Sequence, residues 1–258
     1  MLGLLIGGCA LLGLVVGSFL NVVIYRVPRH QSIAHPRSAC PNCTTTLRAY
    51  DNIPVVSWLV LRGHCRTCRT PIAVRYPAVE LLTAILFAGA AWRFGFAGDL
   101  VAFLFLLAGL VALSWIDAEH LLLPRVIVYP LLGAVGASLL VTAATTHQWH
   151  RLMVAALCAL AWFALFFVLN LVNPRWMGLG DARLSLVLGL ALGWLGVGEV
   201  IVGFFLANLI GAVLGLALIG LKLMRRDQQI PYGVYLSIGA VVSIFFGHWL
   251  LAPFAHLN

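Results

Sequence analysis

The sequence predicts an all-α, polytopic integral membrane protein of about eight transmembrane helices, interrupted by one small cytosolic loop domain built around four cysteines. Three observations predict it. Hydrophobic residues fill 62% of the 258 positions and charged residues 9%, with a mean hydropathy of +1.03, a balance that makes lipid the solvent for most of the chain. Long apolar runs recur from end to end. The remaining charge is mostly basic, with a formal net charge of +8, and it falls on one side of the alternating runs. Basic residues placed beside apolar runs answer to anionic lipid and to cytosolic loops, so the bilayer is the expected partner and nucleic acid is not.

The first run, 2–25, has no basic residue ahead of it and is followed by Arg26 and Arg29, so it reads as an uncleaved span and not as a secretory signal. Residues 26–76 form the one extended polar stretch, punctuated by Pro and Gly as loops are. Further runs follow at 77–92, 100–116, 126–144, 152–172, 184–198, 200–221 and 233–252. Most approach the roughly 20 residues that a spanning helix needs. The sixth and seventh are separated only by the stretch from Gly196 to Glu199. With 26–76 in the cytosol and sides alternating thereafter, fourteen of the sixteen Lys and Arg lie inside and only Arg93 and Arg151 outside. That is the positive-inside pattern, and it puts both termini outside the cytosol. Three segments are expected: 1–25 as the first transmembrane helix, 26–76 as the cytosolic loop domain and 77–258 as the remaining transmembrane bundle. Gly203, Ala207, Gly211 and Gly215 give one helix a small-residue face suited to close packing. No internal repeat is evident.

The polar stretch holds Cys40-Pro41-Asn42-Cys43 and Cys65-Arg66-Thr67-Cys68, with 21 residues between the pairs. Each pair offers two thiolates from one tight turn, and two such turns close a tetrahedron. Cys40, Cys43, Cys65 and Cys68 therefore predict a structural Zn2+ site. A stretch of about 50 residues, poor in apolar side chains, builds no sufficient core of its own, whereas metal binding supplies folding energy. Disulfides and a thioredoxin-like redox pair are the competing readings. A cytosolic location weighs against the first, and the lack of a βαβ pattern against the second. Cys9 and Cys158 lie within apolar runs and read as small buried hydrophobes.

Only eight acids occur in the chain, and two of them mark the cytosolic mouths of apolar runs. They are Asp117, in Trp115-Ile116-Asp117-Ala118-Glu119, and Asp181, in Gly178-Leu179-Gly180-Asp181. Ionisable groups at membrane depth are costly and mark working sites. Two carboxyls that share one proton hydrolyse a peptide without a metal, because the ionised member activates water while the protonated member supplies the leaving nitrogen. The two positions are 64 residues apart, so only tertiary packing joins them. Gly178 and Gly180 allow the backbone before Asp181 to approach a neighbour or substrate closely. The bland alternative pairs each acid with Arg125, Arg175 or Arg183. Glu119 points away from Asp117 on a continuing helix, and Glu80, just inside the second span, is placed to pair with Arg75 or to serve a site. An alternative function is an ion-coupled transporter using the same carboxylates. Their position at the membrane edge and the lack of inverted repeats weigh against it.

The order and spacing of these residues carry a resemblance over nearly the whole chain. It runs through Gly17-Ser18-Phe19-Leu20-Asn21-Val22-Val23, Arg26 and Pro28, then Cys40-Pro41-x-Cys43 and Tyr50-Asp51-Asn52-Ile53-Pro54-Val55-x-Ser57-Trp58. It continues with Leu61-Arg62-Gly63-x-Cys65-x-x-Cys68, Arg75-Tyr76-Pro77-x-x-Glu80, Trp115-Ile116-Asp117, Leu123-Pro124, Gly178-x-Gly180-Asp181 and Ile230-Pro231-Tyr232-Gly233. The chain resembles the bacterial type IV prepilin peptidases, which are Gly-x-Gly-Asp aspartic proteases of the inner membrane. The resemblance implies that Asp117 and Asp181 are the catalytic pair. It implies removal of a short basic leader from prepilins and pseudopilins of pilus and type II secretion systems, at the cytosolic face and after a glycine. The substrate's own apolar helix stays in the membrane. Many members also methylate the new N-terminal residue with S-adenosylmethionine, and the cysteine-bearing loop is implicated in that step. Gly178, Gly180, Glu119 and Glu80 are the candidates for positioning substrate. No cofactor fingerprint places the methyl donor. The chain departs from the family at Arg183, where a lysine is common, at Val234, where a proline is frequent, and at Ser38 and His64, where some members carry Glu and Lys.

Overall fold

In lipid every backbone N–H and C=O must be satisfied within its own segment, so apolar runs of this length fold as helices. The computed structural model describes residues 1–173, 177–221 and 230–252. Arg175, Lys222, Arg225 and Arg226, four of the expected inner cations, lie outside the described residues. Among the described residues there are nine α-helices: α1 (Leu2–Arg26), α2 (Val56–Val60), α3 (Arg75–Phe94), α4 (Asp99–His120), α5 (Arg125–Thr146), α6 (Trp149–Val172), α7 (Leu179–Leu195), α8 (Val197–Gly220) and α9 (Tyr232–Leu251). Seven of them are long and apolar enough to cross a membrane. The exception among the eight expected spans is α7, whose 17 residues extend about 26 Å at 1.5 Å per residue, short of a hydrocarbon core of roughly 30 Å. It starts five residues before the apolar run, at the glycines that precede Asp181. It ends at Gly196 (φ 158°), where a Cβ would stand 2.5 Å from Glu199 Oε2.

The chain divides into two compact units, Met1–Phe96 and Ala97–Asn258. The expected 77–258 bundle therefore gives up its first helix: α3 packs on α1. Glycine is the reason. A Cβ on Gly13 would lie 2.7 Å from Ala84 Cα, and one on Gly17 2.7 Å from Glu80 Cα, so the two backbones touch where no side chain intervenes. Asn21 Nδ2 also donates to Tyr76 O at 3.0 Å.

Between α1 and α3 the chain builds one turn twice. Cys40 N–H donates to Thr45 O (3.0 Å) and Thr44 N–H to Cys40 O (2.9 Å); Cys65 N–H donates to Thr70 O (2.9 Å) and Arg69 N–H to Cys65 O (3.1 Å). Thr44 (φ 56°) and Arg69 (φ 58°) occupy the same left-handed position in each. Leu47 N–H to Ser38 O (2.8 Å) and Ile72 N–H to Gly63 O (2.7 Å) close the bases. This internal repeat is invisible in the sequence because, across 38–47 and 63–72, only the cysteines and Thr45/Thr70 coincide. Asp51 braces the second turn: Arg66 donates Nε (2.9 Å) and Nη2 (2.7 Å) to its Oδ1.

In the second unit α7 is the buried centre, packed against α5, α6, α8 and α9. Ten of its 17 residues are buried, whereas α8 buries three of 24, which is why a short helix is stable there. Gly189 and Gly193 admit the α6 backbone, since Cβ atoms on them would lie 2.7 Å from Ala159 Cα and 2.9 Å from Ala155 Cα. The small-residue face of α8 is a packing face: Gly203 and Ala207 receive Gly239 of α9, and Gly211 meets the Tyr235 ring. Cys9 is buried, and Cys158 packs against Gly193.

Candidate active site

Asp117 lies in the last turn of α4, 5% exposed. The first turn of α9 comes to meet it. Val234 N–H donates to Asp117 Oδ2 at 3.3 Å while also bonding Pro231 O at 3.2 Å. A Cβ on Gly233 would stand 2.9 Å from the same carboxylate oxygen, so only glycine lets the helix start approach. Free N–H groups at a helix N-terminus favour an anionic oxygen.

Asp181 is the third residue of α7, and its Oδ2 accepts Gly178 N–H at 3.2 Å, the acid half of a capping box. A Cβ on Gly178 would lie 2.9 Å from that oxygen. Leu123 wedges the two helix starts: Cβ atoms on Gly180 and Gly233 would stand 3.0 Å and 3.1 Å from it. The result is one cleft of about 280 Å3 lined by Asp117, the loop 121–125, Gly178, Gly180, Asp181 and Arg183. The two carboxyls are close enough to interact electrostatically. Arg125 and Arg183 line the same cleft, yet among the described residues neither aspartate forms an ion pair. Such a pair has what general acid–base hydrolysis requires: two carboxyls lining one cleft, each anchored by a backbone donor.

The structure thus brings together Asp117, Asp181, Gly178 and Gly180 in the second unit. Glu119 does not line the cleft and lies 3.9 Å from His120 Nε2. Glu80 is in the first unit, where its Oε2 accepts Val55 N–H at 2.7 Å and so holds a β-branched residue at φ 60°, a conformation such residues rarely adopt. Sequence reasoning quoted Leu123 and Gly233 as motif residues and Val234 as a departure but gave none of them a role at the site. A glycine at the second position of a helix, two residues after Pro231, was the available signal.

The second centre is in the first unit. The Sγ atoms of Cys40, Cys43, Cys65 and Cys68 all lie within 4.8 Å of one another, with Cys40–Cys68 at 3.7 Å and Cys43–Cys65 at 4.0 Å. A tetrahedron with metal–sulfur bonds of about 2.3 Å has edges of roughly 3.8 Å, whereas a disulfide needs about 2.05 Å. The cluster fits a metal ion. Hydrogen bonding with the Thr70 hydroxyl, then with its backbone, draws the Cys68 thiol down to about 5, and Thr45 lowers Cys43 in the same way. Cys40, by contrast, is drawn down by the Cys43 backbone but pushed up to about 11 by burial and by the neighbouring Cys43 and Cys65 thiols. Two of the four thiols are thus drawn toward the thiolate form that a metal requires.

A helical, multi-pass membrane protein with a carboxylate pair at two buried helix ends and a four-thiol centre has the parts of an intramembrane aspartic hydrolase. Comparison with known proteins supplies the family. The family model described as Bacterial Peptidase A24 N-terminal domain matches residues 11–94, and that of the Type IV leader peptidase family matches residues 104–216. The prepilin leader peptidase/N-methyltransferase of Pseudomonas aeruginosa is 37% identical over 264 residues, covering 92% of this chain and 89% of that protein. The protein of that name from Legionella pneumophila is 35% identical, covering 92% and 90%. That of Myxococcus xanthus is 43% identical over 210 residues, covering 81% and 61%. No solved structure matches the chain. The chain belongs to the Type IV leader peptidase family.

Proposed function

We infer that the chain is a membrane-embedded aspartic endopeptidase that removes the leader from type IV prepilins and pseudopilins, and that it also N-methylates the new N-terminal residue. One observation carries the peptidase half: Asp117 and Asp181 line a single cleft, each anchored by a backbone N–H and neither tied up by an arginine among the described residues. The relatives' names carry the methyl-transfer half. The transporter reading finds no support, since both family models describe peptidases.

In the reaction we assign to the pair, one carboxyl is ionised and the other protonated. The ionised member takes a proton from water as the water oxygen attacks the scissile carbonyl carbon. The C–N bond then breaks, and the leaving nitrogen takes the proton of the second carboxyl. The pair ends as it began, with one shared proton. Gly178 and Gly180 line the cleft and are assigned to positioning an extended substrate backbone. Glu119 does not line this cleft and Glu80 belongs to the first unit, and we assign neither a substrate role.

The substrate class follows from chemistry. A cleft at the ends of apolar helices serves a bond that lies where the substrate's own membrane helix meets a basic cytosolic leader. Counting α7 as an eighth crossing, we place the cleft at the cytosolic face of the inner membrane, with both termini outside the cytosol, because fourteen of the sixteen Lys and Arg then lie inside. The peptidase is assigned to the second unit and methyl transfer to the first. Zn2+ is the metal we assign to the four thiols, a ligand set and geometry typical of structural zinc, and S-adenosylmethionine supplies the methyl group.

The test is incubation with a synthetic prepilin and isotope-labelled S-adenosylmethionine, followed by mass spectrometry. Leader loss after glycine and one added methyl are expected. Asp117→Asn and Asp181→Asn should each lower cleavage on the order of 100- to 10,000-fold without changing the melting temperature. Normal cleavage by either variant removes the catalytic assignment.

A further inference from the structure

In the first unit, the short helix of the loop between α1 and α3 turns its apolar side outward. α2 has five residues, Val56–Val60, and its inner side is the one that makes polar contacts. Ser57 Oγ donates to Tyr50 O at 2.7 Å. The Trp58 ring lies against Gly63, where a Cβ would stand 2.9 Å from it, and its Nε1 donates to Ile72 O at 3.1 Å. Val56, Leu59 and Val60 fall at i, i+3 and i+4 and so share the opposite face. They are 52%, 60% and 70% exposed. Ile53, three residues before Val56, is exposed as well, and so is Val74 at the entry to α3. A loop domain that met only water would place these side chains inside; an exposed apolar face of this kind marks an interaction surface.

We propose that α2 lies in the lipid–water interface, with Val56, Leu59 and Val60 buried in the bilayer surface. Depth is the first argument for lipid over a protein partner. Val55 N–H donates to Glu80 Oε2 at 2.7 Å, which pins the start of α2 to α3, a helix long and apolar enough to cross the membrane. Glu80 is five residues past Arg75, the first residue of α3, or about 7.5 Å along the helix at 1.5 Å per residue. Interfacial helices sit about 5–10 Å into the headgroup and acyl boundary, so α2 starts at the depth where such helices lie. Continuity is the second argument, because Leu81 and Leu82, which follow Glu80, are exposed on the span itself. Charge is the third. Between Asp51 and Glu80 the chain has no acid and four arginines, Arg62, Arg66, Arg69 and Arg75. Arg66 pairs with Asp51, while Arg62, two residues after Val60, is exposed where anionic headgroups attract it. A helix of one turn does not hold itself at an interface. This one is held there by the spans at both ends of its loop and by Glu80. The second cysteine turn goes with it, since Trp58 packs on Gly63 and bonds Ile72, the two residues whose hydrogen bond closes the base of that turn.

The experiment is photocrosslinking of the full chain in nanodiscs of phosphatidylcholine and phosphatidylglycerol. The photoreactive residue p-benzoylphenylalanine replaces Leu59, Val60 or, as the reference, Thr67, an exposed residue of the second cysteine turn. All three positions are exposed, so each accepts the larger ring. Mass spectrometry should find lipid adducts at positions 59 and 60 in excess over position 67 on the order of tenfold, the ratio that burial of one aliphatic side chain supports. Leu59→Asp should lower the adduct at position 60 by roughly the same factor. Equal lipid yields at the three positions overturn the proposal. Adducts at 59 and 60 to an added synthetic prepilin, or to a second copy of this chain, in place of lipid also overturn it and assign the face to that protein.

Discussion

The cysteine centre and the aspartate cleft reach their geometry by different routes. Each cysteine pair sits three residues apart in a turn that makes its own hydrogen bonds, and the second turn copies the first. The two aspartates sit at the ends of separate helices, and the donor to Asp117 arrives 117 residues later, from α9. A locally built site has little packing behind it and would depend on the ion proposed for it. A site assembled by helix ends depends on close-packed glycines and on Leu123, and needs no ion to hold it.

The largest effect that would break this contrast is metal removal. Structural zinc contributes about 10–16 kcal/mol in zinc-finger peptides, so chelation should open residues 30–74 to protease while leader cleavage persists; parallel loss of cleavage would show that the two centres are not independent. Gly233→Val sharpens it from the other side. The new side chain meets Asp117 Oδ2 and Leu123, and displacement of a catalytic group by about 1 Å costs on the order of 100-fold in rate. Cleavage should fall by that factor with bound zinc unchanged by elemental analysis. Glu80→Ala removes the acceptor of Val55 N–H, a loss of about 1–3 kcal/mol to be read as faster proteolytic nicking near Val55. The smallest effect is expected of Val234→Pro. Proline is tolerated in a first helical turn, but the N–H to Asp117 is lost, so cleavage should fall roughly fivefold, or about 1 kcal/mol. An unchanged rate would show that the long 3.3 Å bond contributes nothing.

Much of the fold was legible because its causes are local. Apolar runs of spanning length announce helices, and the run boundaries come within a few residues of the observed ends. The exception, α7, was misplaced at its start because hydropathy does not register Gly178 and Gly180, which the capping carboxylate of Asp181 draws into the helix mouth. The division of the chain was also missed: the second span reads like any other run, and only Gly13 and Gly17 meeting α3 backbone join it to the first. The repeated cysteine turn escaped notice because backbone hydrogen bonds and two left-handed residues define it, and those positions hold different side chains.

Cysteine spacing, span lengths and the placement of scarce acids are properties of short stretches, so the sequence by itself determined the thiol cluster, the membrane-spanning character and both aspartates as candidates. That Asp117 and Asp181 face one space, that the first turn of α9 supplies a donor, and that Leu123 holds two glycine-lined helix starts apart were decided only in the tertiary structure. The reason is physical: closing a 64-residue separation depends on which helix backbones can touch, and that is settled by the shapes of both partners together.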